Sequence, residues 1–162
     1  MLQRIQSIYL LIAAVSLSLM ALTPLITLKA SEGEKAEQLV FTLYAMEYEQ
    51  TSPVVAKGGH ENKALAYLTY GVAFILLISI FQFKNRPLQI RLSRMGFMLS
   101  GALLLSIVVT SYRAAATLKL PNLEWTPGWT AFMPVIALVC CVLAYRRIKA
   151  DEALVKSVDR IR

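Results

Sequence analysis

Histidine occurs once in the 162 residues, at His60, and cysteine twice, at Cys140 and Cys141. A single histidine excludes a His-based metal cluster, and no metal or cofactor is expected. The two cysteines adjoin inside an apolar run. Sequence neighbours bridge only through a strained ring, so both are read as small apolar packing residues that say nothing of the redox compartment. Charge is scarce as well: charged residues make up 17% of the chain, against roughly 25% in a soluble domain. No nucleophile motif, phosphate loop, dinucleotide fingerprint or calcium loop is present.

The missing charge is concentrated. Ile5–Leu28, Ala64–Phe83, Met95–Tyr112 and Trp125–Tyr145 each lack Asp, Glu, Lys and Arg. Each approaches the roughly 20 residues that cross a hydrocarbon core of about 30 Å. In lipid the backbone must satisfy its own hydrogen bonds, so all four are expected to be helices. The absence of any ionisable side chain within them argues against an ion-coupled transporter, whose relays sit in the membrane despite a cost of at least ~2.5 kcal/mol. The first run is longer than a signal-peptide core of ~7–15 residues, and Leu28 is too large for a cleavage site after Ala30; it reads as an uncleaved anchor.

The charges that are present lie beside these runs. Lys84–Arg94, K-N-R-P-L-Q-I-R-L-S-R, holds four basic residues and no acid, and reads as a short cytoplasmic loop. With spans counted off from it, one face carries eleven basic residues and the other six. The basic face is expected to be cytoplasmic, with both termini inside and segments 29–63 and 113–124 outside. The net charge of +7 therefore points to anionic headgroups rather than nucleic acid. Tyr67, Tyr70, Tyr112, Trp125 and Trp129 fall near outer span ends, and Phe83 and Tyr145 near inner ones, the depth that aromatic rings prefer. Pro134 is expected to kink span four.

The expected fold is an all-α membrane protein: a four-transmembrane-helix, up-and-down bundle forming one domain over 1–162, with a small extracytoplasmic loop. In that loop, Ser31–Glu34 reads as a turn, and a short β-hairpin would pair the end of span one with residues 39–44. His60 reads as a solvated loop residue. The tail 146–162 should continue span four as a helix, with Leu154, Val158 and Ile161 on one stripe and Glu152 paired to Lys156. Small-residue pairs, Gly96 with Ser100 and Ala102 with Ser106, read as helix packing before an oligomer interface.

Candidate contact residues on the cytoplasmic face are Arg4, Lys84, Arg86, Gln89, Arg91, Arg94, Arg146, Arg147, Asp151, Glu152, Asp159 and Arg160. The three acids are expected to pair with Arg86, Arg91 or Arg94 and tie the tail to the central loop. Three functions are compatible: a non-enzymatic accessory or scaffold subunit, foremost; a small transporter or pore for an uncharged or apolar molecule; and an interfacial membrane enzyme. Partners would be anionic membrane lipids and a membrane protein or a second copy of the chain.

Three segments carry a resemblance: Met1–Ala14 (M-L-Q-R-I-Q-S-I-Y-L-L-I-A-A), Phe83–Leu92 (F-K-N-R-P-L-Q-I-R-L) and Ala144–Arg162 (A-Y-R-R-I-K-A-D-E-A-L-V-K-S-V-D-R-I-R). Together they resemble a bacterial family of short four-span proteins catalogued as a domain of unknown function, number forty-two ninety-three. The resemblance implies an inner-membrane location and four spans. It implies no activity, substrate or catalytic residue.

Overall fold

The computed structural model describes residues 2–32, 35–51, 58–61, 63–83, 85–117 and 123–159. Among these residues there are four α-helices, α1 (Leu2–Leu19), α2 (Lys63–Phe81), α3 (Arg86–Thr117) and α4 (Met133–Asp159). Five strands accompany them: β1 (Ile26–Glu32), β2 (Lys35–Phe41), β3 (Ala45–Thr51), β4 (Gly58–Glu61) and β5 (Leu123–Pro127). The fold is thus mostly helical but not all-α. The stretches Lys63–Phe81, Arg86–Arg113 and Trp129–Val155 are long and apolar enough to cross a membrane; in α1 the apolar stretch is the shorter Ile5–Leu19.

The chain divides into two compact units. The first comprises Met1–Ser18, Thr69–Ala102 and Pro134–Arg162. Its helical segments bury residues three and four apart, the spacing of a packed helix face: Gln6, Leu10, Ala13 and Leu17; Val72, Leu76 and Ser79; Gln89, Ser93, Gly96 and Ser100; Ala137, Cys141, Ala144 and Ile148. Small residues dominate the seam, which lets helix backbones approach closely. A Cβ at Gly96 would strike the Leu76 side chain and come within 3.6 Å of the Cys141 sulfur. Gly96 and Ser100 therefore serve packing within the chain, whereas Ala102 is exposed.

Both cysteines are free and buried. A maleimide is expected to leave Cys140 and Cys141 unlabelled in the folded protein and to label both after SDS denaturation; native labelling read by mass spectrometry would contradict this packing. The hydroxyls of Ser79, Ser93 and Ser100 are buried without a hydrogen-bond partner. Since an unsatisfied buried hydroxyl is a cost, Ser100→Ala should leave thermal stability unchanged or raise it by up to ~1 kcal/mol.

The second unit comprises Leu19–Leu68 and Leu103–Met133 and holds the sheet, ordered β4-β3-β2-β1-β5 with every pairing antiparallel. The hairpin expected at the end of span one is real but longer, with Ile26 opposite Phe41 and Glu32 opposite Lys35; the turn residues 33–34 lie outside the described residues. Alternation organises it. Leu28, Leu39 and Phe41 are buried, while Lys29 between them on the other face is exposed and stands opposite Gln38 and Glu124. Facing opposite charges favours that pairing by a few tenths of a kcal/mol, and each buried large side chain contributes about 1.5–3 kcal/mol.

Four expectations are corrected here. Span one does not run to Leu28 as a helix. Pro24 has no N–H to give and disfavours helix at Thr23, and beyond it the alternation Ile26-Thr27-Leu28-Lys29 suits a strand. The Lys84–Arg94 loop is mostly helix: the Asn85 side-chain oxygen accepts the Leu88 N–H at 3.3 Å, an N-cap, and Pro87 sits in the first turn, where its missing N–H costs nothing. Span four does not begin at Trp125, which belongs to β5; α4 starts at Met133, so Pro134 lies in its first turn and kinks nothing. His60 lies in strand β4, opposite Met46, rather than in a loop.

Candidate functional site

Within the first unit, Asp151 is the meeting point of three helices. Gln6 on α1 is 4% exposed, and its side-chain amide donates to the Asp151 carboxylate. Arg86, the first residue of α3, donates through Nη1 to the Asp151 main-chain oxygen at 3.1 Å. A buried amide needs an acceptor, and a carboxylate makes the bond charge-assisted and stronger than a neutral one. The arginine end of α3 faces unfavourably toward its own helix dipole; the Asp151 carbonyl offsets that.

The expected tie between tail and central segment is therefore present but differently wired. The Arg86 guanidinium takes the Asp151 carbonyl, and the carboxylate goes to Gln6, a residue absent from the expected set. One sign was available in the sequence: Gln6 shares a helix face with Leu10, Ala13 and Leu17, where a polar side chain must find a partner.

The other expected residues divide by exposure. Gln89 is buried in the helix seam, so it is not a surface contact. Arg91, Arg94, Arg146 and Arg147 are exposed, and Glu152 is half-buried. Arg94 donates to the Tyr145 hydroxyl at 3.4 Å, with its guanidinium carbon 5.7 Å from the ring centroid; Tyr145 also lay outside the expected set. Arg4 falls in the first turn of α1 and Asp159 ends α4. Lys84 and Arg160 lie outside the described residues, as does Ile161 of the expected tail stripe. Leu154 of that stripe is exposed.

The contacts order the helices. Arg86 meets Asp151, Arg94 meets Tyr145 and Gly96 approaches Cys141. As numbers rise along α3 they fall along α4, so the two run antiparallel here. The four residues 82–85 that join α2 to α3 are likewise short enough for antiparallel neighbours. Arginines from both helices are thereby gathered at one end of this unit. Among the described residues, no group of three or more His, Cys, Asp or Glu is placed to hold a metal ion.

No curated protein matches the chain. A family model matches residues 2–161, nearly the full length. The chain belongs to the family described as "Domain of unknown function (DUF4293)".

Proposed function

We propose that this protein is a multi-pass component of the bacterial cytoplasmic membrane, with both termini cytoplasmic, that acts as a non-enzymatic accessory or scaffold subunit through its basic face. The supporting observation is the distribution of exposure on its helices. Phe74 and Phe81 on α2, Met98 and Leu105 on α3 and Val139 on α4 are each more than half exposed. Such continuous apolar faces are unsuited to water and suited to lipid. Arg91, Arg94, Arg146, Arg147 and Lys149 are exposed basic residues on the segments that basic-residue counting assigns to the cytoplasm.

Four spans follow if α1 also crosses. Its apolar stretch Ile5–Leu19 reaches about 22 Å at 1.5 Å per residue, short of a core of roughly 30 Å, and the bilayer can thin locally at modest cost per ångström. The Gln6–Asp151–Arg86 junction supports a scaffold because it ties α1, α3 and the tail into one surface without consuming the exposed arginines.

The test is a tagged pull-down in mild detergent with protein mass spectrometry. A stoichiometric membrane partner is expected, lost with Arg91→Gln/Arg147→Gln while membrane insertion is unchanged. Recovery of the wild-type protein alone would sink the scaffold reading.

A further inference from the structure

We infer that the groove between α3 and α4 is a binding site for one anionic phospholipid, with the phosphate held by Arg94 and Arg146 and an acyl chain lying along Phe97, Met98 and Val142. This deepens the membrane reading above and rests on it.

Three observations carry the inference. First, the groove has a volume of about 420 Å³ and is lined by Arg94, Phe97, Met98, Val142, Tyr145 and Arg146, a size within the range of small-ligand sites, roughly 300–1,000 Å³. Second, its lining is graded. On α3 the order is Arg94, then Phe97 and Met98; on α4 it is Val142, then Tyr145 and Arg146. Because the helices run antiparallel here, the two arginines and the tyrosine share one end and the apolar side chains the other. That is the polarity of a phospholipid, charged at the head and apolar below. Third, the lining holds two cations and no acid, so it complements a headgroup of net negative charge. A zwitterionic headgroup would bring its own ammonium against the arginines.

The apolar end is open. Met98 is 64% exposed and Phe97 42%, so a chain can lie against both from the surrounding bilayer. The head end is preorganised. Arg94 is held over the Tyr145 ring by a cation–π contact and by its bond to the phenol oxygen. The phenol accepts that bond and keeps its own O–H to donate to a phosphate oxygen. A guanidinium presents a planar fork that matches two phosphate oxygens, which lysine does not.

The test uses the full-length protein in mild detergent, titrated with phosphatidylglycerol or phosphatidylcholine of identical chains and read by native mass spectrometry. The first phosphatidylglycerol should bind about tenfold tighter than phosphatidylcholine. Arg94→Gln/Arg146→Gln should abolish that preference, Arg91→Gln/Arg147→Gln should keep it, and Met98→Trp, which fills the apolar end, should weaken both lipids. The site is refuted if the wild type shows no preference, if the preference survives Arg94→Gln/Arg146→Gln, or if both double variants lose it equally, which would mean general surface charge. Displacement of the lipid by equimolar inorganic phosphate would overturn the acyl slot. Alkaline extraction of native membranes separates the two readings. Release of the protein would refute the membrane reading itself, whereas retention without lipid preference refutes only this site.

Discussion

Gly128→Ala is expected to destabilise the protein by roughly 2–4 kcal/mol, the combined scale of overpacking and a lost buried hydrogen bond. The cause is space, not backbone freedom. Gly128 has φ −71° and ψ 156°, which any residue adopts. A Cβ there would collide with the carbonyl oxygen of Pro24 and lie 3.2 Å from that of Leu25. Both are main-chain atoms and cannot swing aside as a rotamer can. The Gly128 N–H donates to the same Leu25 oxygen at 2.8 Å, so the methyl group must open a bond to find room. Thr130, fully buried two residues on, donates to the Pro24 oxygen at 3.0 Å and lies 3.0 Å from the Thr23 hydroxyl, so the disturbance spreads along both segments. Thermal unfolding in detergent is the measurement. Gly101→Ala is the internal control, since nothing lies within 4 Å of its Cβ and alanine favours a helix by up to ~1 kcal/mol over glycine. Equal melting temperatures for the two variants would refute the close approach at Gly128.

That contact also explains how the charge-free stretches misled. Lack of charge reports compatibility with lipid; it does not report backbone conformation. Ile5–Leu28 and Trp125–Tyr145 each look like a single helix by charge alone, yet each holds a proline close to where the helix fails, Pro24 in one and Pro127 before Gly128 in the other. Local chemistry was enough to shorten both spans. It was not enough to pair them. The partnership of β1 with β5 joins Ile26 to Pro127, about a hundred residues apart, and no local pattern encodes that register. The β1–β2 hairpin was legible because its strands are neighbours and alternate. α2 was legible almost to the residue because it is apolar all round and bounded by charges at both ends.

The candidate site was legible in its charges and obscure in its wiring. Opposite charges at Arg86 and Asp151 suggested contact; the residues meet, but the guanidinium takes the Asp151 main-chain oxygen and not the carboxylate. The start of α3 was hidden because a basic, proline-containing segment resembles a loop; the informative residue was Asn85, whose side chain caps a helix in which Pro87 is tolerated. Gln89 looked exposed among arginines, but Gln89, Ser93, Gly96 and Ser100 follow the spacing of a buried face. Reading that segment as a helix would have separated Gln89 from Arg91 and Arg94 at once.

The junction at Asp151 yields the second large effect. Asp151→Ala should cost about 1–3 kcal/mol, the penalty for leaving a buried polar group unpaired, because the Gln6 amide keeps its buried position and loses its acceptor. Arg86 keeps its main-chain partner, so the loss isolates the α1–α4 link. Asp151→Asn retains a carbonyl oxygen for the amide and should recover most of the loss. The decisive variant is Gln6→Leu placed on Asp151→Ala. With both polar partners removed, the penalty of the orphaned amide disappears, and the double variant should be more stable than Asp151→Ala alone. A double-mutant cycle from thermal melts measures this directly, with a coupling of about 0.5–3 kcal/mol expected for groups in contact. Additive effects would mean that Gln6 and Asp151 do not hold the first helix to the tail. Limited proteolysis gives an independent reading, since a tail released from α1 should be cleaved faster beyond Ile148 in Asp151→Ala than in Asp151→Asn. Equal cleavage of the two would remove the junction as the element that fixes the basic face.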